Sequence, residues 1–142
     1  MGNLEDAILL AAENHKGQSD RAGRPYILHP LRVMFKMQTD EERIVAVLHD
    51  VIEDTPVTLE ELRMRGYSKR VLDAVDHLSR REDETYDAFI DRIARNPLAV
   101  RVKLADLEDN MEVRTLVKQN DDDRKRLARY KAAREKLQTL SK

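Results

Sequence analysis

The chain has 142 residues, 26 of them basic and 27 acidic, with 41% apolar, 37% charged and no cysteine. That length holds one domain with its own core, here expected over residues 1–142. The missing cysteines exclude a disulfide framework, a thiolate zinc or iron–sulfur site and a cysteine nucleophile. A net charge of −1 argues against a nucleic-acid partner, which a basic excess would advertise. No apolar run approaches the roughly 18 residues of a membrane span, so no membrane partner is expected. The opening MGNLED has no basic stretch followed by an apolar one, so no signal peptide is read there and a cytoplasmic protein is expected.

Four Gly, four Pro and 4% aromatics point to helices rather than a β-sandwich. The apolar spacing is helical almost throughout. Residues 3–16 place Leu4, Ile8, Ala11 and Ala12 on one face, with Asn3 as a candidate N-cap. Residues 17–28 hold two of the glycines and Pro25 and read as an ordered loop. His29-Pro30 opens a second helix, because Pro suits a first helical position and the residue before it avoids helical angles. A third helix is expected from about Asp40 through Val51. Thr58 caps a short helix with Glu61 three residues on, and Gly66 ends it. Ser68 caps the next, through Arg80. Another covers about 84–95, and Asn96-Pro97 starts one to about 113. In that stretch LAVRVKLA alternates like a strand, but the spacing of Leu98, Val102 and Ala105 favours helix. A charged helix from about 121 to 140 closes the chain, with Asp121–Asp123 in its first turn, where negative charge suits the helix dipole. The expected fold is all-α, a compact helical domain of about seven helices.

His49-Asp50 lies inside AVLHDVIEDT, an apolar stretch that also carries Glu53 and Asp54. A lone histidine on an apolar face reads as a core residue bonded to a carbonyl. Three carboxylates beside it are costly in a core unless something neutralises them. Helical spacing places Glu53 one turn from His49 and Asp54 one turn from Asp50, and a divalent cation is the natural partner. Further ligands must come from elsewhere. His29 sits at a helix mouth, and Asp106 lies inside the apolar segment KLAD, although a solvated helix-face aspartate is an equal reading of it. Imidazole nitrogens with carboxylate oxygens suit first-row ions better than calcium. His15 and His77 read as structural, and Met34, Met37, Met64 and Met111 as core fillers.

The order His29, His49-Asp50, Asp106 resembles the H…HD…D pattern of the HD-domain metal-dependent phosphohydrolases. The stretches AAENHKGQ, GRPYILHPLRV, AVLHDVIEDT and VKLADLEDNM are similar to the hydrolase domain of the RelA/SpoT alarmone enzymes and their small stand-alone relatives. The resemblance implies an all-α HD fold and one divalent metal ion, typically Mn(2+), on His29, His49, Asp50 and Asp106. It implies that Glu53 and Asp54 work on the attacking water, Glu53 as general base or water-positioner and Asp54 as acid or supporting partner. It implies a small-molecule nucleotide substrate, guanosine tetra- or pentaphosphate, losing its 3′-pyrophosphate. Arg21 and Lys103 are the candidate phosphate contacts, although each alone also reads as a solvated charge. Asn110 is the candidate contact to the nucleotide sugar. The family's base-stacking arginine is replaced by Asp20, which keeps a second reading open: an HD phosphohydrolase of another nucleotide or phosphorylated metabolite. A non-catalytic nucleotide-binding module is a third. About thirty residues follow the last motif, too few for the synthetase domain of the long enzymes, so degradation alone is expected. A homo-oligomer is left open.

Overall fold

The computed structural model describes residues 2–115 and 120–140. Helices α1 (Leu4–His15), α2 (Leu28–Phe35), α3 (Asp40–Leu48), α4 (Val51–Asp54), α5 (Leu59–Met64), α6 (Lys69–His77), α7 (Tyr86–Ile93), α8 (Pro97–Thr115) and α9 (Asp121–Leu140) follow in order. Among the described residues the sole β feature is an isolated bridge between Ser19 and Pro25 in the loop after α1. The all-α expectation therefore holds.

Local chemistry explains most boundaries. Asn3 accepts the Asp6 amide at 2.8 Å, and Thr58, Ser68 and Thr85 cap α5, α6 and α7 through their hydroxyls. The side chain of Asn96 accepts the Ala99 amide ahead of α8. Gly66 follows α5 with φ +90°, a left-handed angle that glycine adopts without a Cβ clash. At α2 the helix begins one residue early, with Leu28, so His29 and Pro30 lie within its first turn. The reciprocal capping box is not at Thr58 but at Thr39 and Glu42, at the start of α3.

Two helices are shorter than their periodicity suggests. The expected helix from Asp40 through Val51 stops at Leu48, and α4 is a separate single turn. The carbonyl of Ala46 would accept the Asp50 amide in a continuing helix. Instead it takes the ring Nδ1–H of His49 at 2.5 Å, a side chain competing with the ladder. Helix α6 ends at His77 rather than Arg80. Arg92 donates to the carbonyls of Asp76 and Ser79 at 3.1 and 2.8 Å, so a distant guanidinium satisfies the helix end.

The core is aliphatic. Val33, Val45, Val47, Leu48, Val51, Leu62, Val75, Ile93, Val102, Leu107 and Leu137 are fully buried. Met34, Met37 and Met111 fill it as expected, whereas Met64 is 75% exposed and is no core filler. Helix α3 packs against both α1 and α2, and α8 runs across α2, α3, α6, α7 and α9. This crossing brings the middle of α8 to the α2–α3 pair. One polar tie fixes it. Buried Glu42 accepts the amides of Gln38 and Thr39 at 2.9 and 3.2 Å and the guanidinium of Arg101 on α8 at 2.5 Å. Glu42→Ala is expected to cost about 1–3 kcal/mol, the scale of a lost cap plus a charged hydrogen bond. Urea unfolding measures it; an unchanged midpoint would remove Glu42 from the set of residues that hold α3.

Candidate metal centre

Three elements converge. Helix α2 supplies His29, the α3–α4 break supplies His49 and Asp50, and α8 supplies Asp106. One ligand atom from each lies within 4.8 Å of all the others. The Nε2 atoms of His29 and His49 stand 2.8 and 3.1 Å from the same oxygen, Asp106 Oδ1. Asp50 Oδ2 is 3.6 and 3.1 Å from those nitrogens. The break in α3 serves this geometry, since it turns Asp50 towards His29 rather than along a continuing helix.

The tautomers are fixed from behind. His29 Nδ1 faces Asp109 Oδ2 at 2.6 Å, and His49 Nδ1 faces the Ala46 carbonyl. Each Nδ1 is therefore the proton donor, and a neutral ring would present only a lone pair at Nε2. Two lone pairs aimed at one carboxylate oxygen repel unless positive charge lies between them. A proton on each Nε2, or a bound cation, can supply that charge. Burial alone would lower the pKa of His29, but hydrogen bonds to Asp106 and Asp109 raise it to about 9. Burial opposes charge on His49 too, and the charges of Asp50 and Asp106 overcome it. Burial pushes the Asp50 carboxyl up, and the charge and hydrogen bond of His49 pull it down to about 2. A divalent cation can replace those protons. Two imidazole nitrogens and two carboxylate oxygens form a donor set of the right chemistry for one.

The surrounding residues hold the donors still. Lys103 donates to Asp106 Oδ2 at 2.9 Å and Asn110 donates to Asp106 Oδ1 at 3.2 Å. Tyr26 donates to Asp50 Oδ2 at 2.5 Å. Asp109 is buried and also accepts two bonds from Arg32, at 2.7 and 2.9 Å. Burial would raise the Asp109 carboxyl, but His29 and Arg32 hold it at about 2. Glu53 and Asp54 lie at the exposed edge. Glu53 Oε1 accepts the Arg80 backbone amide, and the Asp54 carbonyl accepts Gln18 Nε2 at 3.0 Å. Partial burial raises the pKa of both carboxyls, and the charge of Asp50 adds to the effect.

An HD domain model matches residues 7–134. The chain belongs to the HD-domain family. It is 34% identical over 141 residues to the bifunctional (p)ppGpp synthase/hydrolase SpoT of Escherichia coli K12, covering 89% of this chain and 20% of that protein. It is 34% identical over 138 residues to the guanosine-3′,5′-bis(diphosphate) 3′-pyrophosphohydrolase of Aquifex aeolicus, covering 89% of this chain and 19% of that protein. The chain thus spans about a fifth of the length of these curated relatives. Its fold is similar to the solved structure of a metazoan ortholog of SpoT described as hydrolysing ppGpp. The TM-score is 0.77 at 21% identity, over 98% of this chain and 85% of the other.

The structure brings His29, His49, Asp50, Asp106, Lys103 and Asn110 together and sets Glu53 and Asp54 at the rim. Arg21 is nearby but engaged, its guanidinium bonded twice to Asp123 at 3.1 and 2.8 Å. Asp20 does not face the centre. Its carboxylate accepts the amides of Ala22 and Arg24, both at 2.9 Å, and closes the loop on itself. His15 is buried with Nδ1 2.9 Å from Gln18, and His77 bonds the Asp73 carbonyl on α6, so both lie outside the donor set. Sequence reasoning missed the supporting roles of Tyr26 and Asp109. Asp109 had a signal, since three residues after Asp106 is the same helix face.

Asp109→Asn is expected to weaken binding of a divalent cation about 10–100-fold, the usual scale for a partner behind a ligating imidazole. Because the cation displaces protons from His29 and His49, affinity should also rise from pH 6 to pH 9. Calorimetric titration across that range checks both. Unchanged affinity in the variant, or binding that ignores pH, would break the assignment of His29 and His49 as ligands.

Proposed function

We propose that the chain is a metal-dependent phosphohydrolase acting on guanosine 3′,5′-bis(diphosphate). Water is added across the 3′ ester, releasing pyrophosphate and leaving GDP. The convergence of His29, His49, Asp50 and Asp106 carries the metal dependence, and the curated names of the relatives support the substrate. Mn(2+) is the proposed ion, because two nitrogens and two oxygens suit it and the family resemblance points to it. A cation held by these four residues supplies a lowered pKa for water and stabilises charge on the phosphoryl oxygens.

The remaining steps belong to side chains. Glu53 takes the proton of the attacking water at its free carboxylate oxygen, while the Arg80 amide fixes the other. Its raised pKa brings it nearer the operating pH, where a general base is most effective. Asp54, on the same turn and also raised, orients the water or returns a proton to the leaving oxygen. Lys103 secures Asp106 and adds positive charge behind the phosphoryl group. Asn110 and Arg21 line the adjoining cleft with His29 and Tyr26; in this reading Asn110 contacts the sugar and Arg21 a phosphate. No helix among the described residues is long and apolar enough to cross a membrane, in keeping with a cytoplasmic enzyme acting on a small soluble nucleotide.

A second reading, hydrolysis of another nucleotide, draws on Asp20. With its carboxylate spent inside the loop, that position offers no cation for a base to stack on. A substrate panel separates the readings. With Mn(2+), guanosine tetraphosphate should be cleaved in preference to other nucleotides. Glu53→Gln should keep its metal while losing about 100–10,000-fold in turnover. No pyrophosphate release with any divalent ion would overturn the alarmone reading.

A further inference from the structure

Glu53 is oriented by a contact 27 residues along the chain, the backbone amide of Arg80. That amide lies in the turn between α6 and α7. It belongs to the same peptide unit as the Ser79 carbonyl. A trans peptide is planar, with its C=O and N–H pointing opposite ways. Whatever fixes the Ser79 carbonyl therefore aims the Arg80 amide. Two guanidiniums hold that carbonyl: Arg92 donates through Nη2 at 2.8 Å and Arg81 through Nη1 at 2.9 Å.

Arg92 is the better anchored of the two. Its side chain is 20% exposed, against 46% for Arg81. Its Nε and Nη2 donate to the two oxygens of Glu84 at 2.9 Å each, the paired geometry that a guanidinium makes with a carboxylate. Its Nη1 donates to the Asp76 carbonyl at 3.1 Å. Four of its five N–H groups are thus engaged, so the guanidinium cannot turn without breaking several bonds together. Glu84 gathers the far side of the turn. Its Oε1 also accepts the Arg81 amide at 3.1 Å, and its carbonyl accepts Arg80 Nε at 3.1 Å. Hydrogen bonds from Arg92 hold its carboxyl down at about 2, so the pair keeps its charges.

We propose that Arg92, anchored on Glu84, is a positioning residue for Glu53 and acts through the single Ser79–Arg80 peptide plane. Its effect on catalysis rests on the reading of Glu53 as general base; its effect on the place of Glu53 does not. Arg92 is on α7, outside both the four metal donors and the residues lining the cleft. With the Ser79 carbonyl held, one oxygen of Glu53 is bound and the other is left free for a proton. With it released, the peptide plane can rotate and Glu53 loses the bond that selects its orientation. A cation on the carbonyl side also polarises the peptide and strengthens its N–H as a donor. The same side chain closes the end of α6 through Asp76, so the test must tell the two duties apart.

The first arm needs no substrate. The Arg80 amide is followed by NMR in the full chain, dialysed free of metal. In wild type its proton should lie downfield, as a carboxylate partner demands. In Arg92→Met it should move upfield and exchange with solvent about tenfold faster or more. If Arg92→Met does not fold, Arg92→Lys carries the measurement, since lysine keeps the charge but not the fork. An Arg80 amide that is unmoved in a folded variant overturns the positioning role whether or not any nucleotide is hydrolysed. The second arm reads catalysis with Mn(2+) and guanosine tetraphosphate. Arg92→Met should lower kcat about tenfold and leave KM within about threefold. In a Glu53→Gln background the same substitution should change kcat by less than about threefold, because the carboxylate it positions is gone. Equal losses in both backgrounds would make Arg92 a support of the fold alone and overturn the proposal. A responding Arg80 amide in a chain that hydrolyses no nucleotide would overturn the hydrolase reading and uphold Arg92 as the residue that places Glu53.

Discussion

A buried carboxylate organises this protein. Asp106 lies in the interior on α8, 3% exposed, where an unpaired charge would be prohibitive. It is made tolerable by four donors from three directions: His29 on α2, His49 at the end of α3, and Lys103 and Asn110 one turn either side of it on α8. Removing any of the three elements would leave charge stranded in the core. The helix crossing and the ion site are thus one constraint, with α8 seated where its aspartate meets both imidazoles. The pair α2–α3 and the Glu42–Arg101 bond keep it there.

Around Asp106 the polar groups form graded layers. Asp109 and Arg32 brace His29 from behind, and Tyr26 braces Asp50. Glu53 and Asp54 sit further out, where partial burial raises their carboxyls instead of depressing them. Carboxylates of one chemical type are thereby pushed apart in pKa by their surroundings. Those beside the imidazoles are held charged, and those at the rim are brought towards a range where protons move. This division suits hydrolysis of a phosphate ester, in which some acids must stay ionised and others must exchange a proton. The lysine and arginines nearest the centre are all tethered to acids, so positive charge is delivered in fixed positions although the whole chain is almost neutral.

Much of this was legible in the sequence. Asn3, Ser68 and Asn96 announced helix starts through local hydrogen bonds, and such signals need no knowledge of the rest of the fold. His49, Asp50 and Asp106 stood out as polar residues inside apolar stretches, whereas His29 was read at a helix mouth and joined them through the family motif. The failures share a cause. At His49 the ring takes the Ala46 carbonyl and ends the helix, an event that depends on rotamer rather than periodicity. At α6 the end is set by Arg92, sixteen residues beyond Asp76. The Arg21–Asp123 pair joins residues 102 apart, so no window could show that the arginine was already engaged. Asp123 was read as a dipole complement in the first turn of α9, and it is in addition the buried post on which Arg21 and Arg114 meet.

The central claim is that His29, His49, Asp50 and Asp106 together bind one divalent cation. The most direct measurement is anomalous diffraction from crystals grown with Mn(2+). The account predicts a single strong peak bounded by the two Nε2 atoms and the two carboxylates, with Lys103 still bonded to Asp106. Clear density for the four side chains with no peak between them, or a peak elsewhere on the molecule, would contradict it.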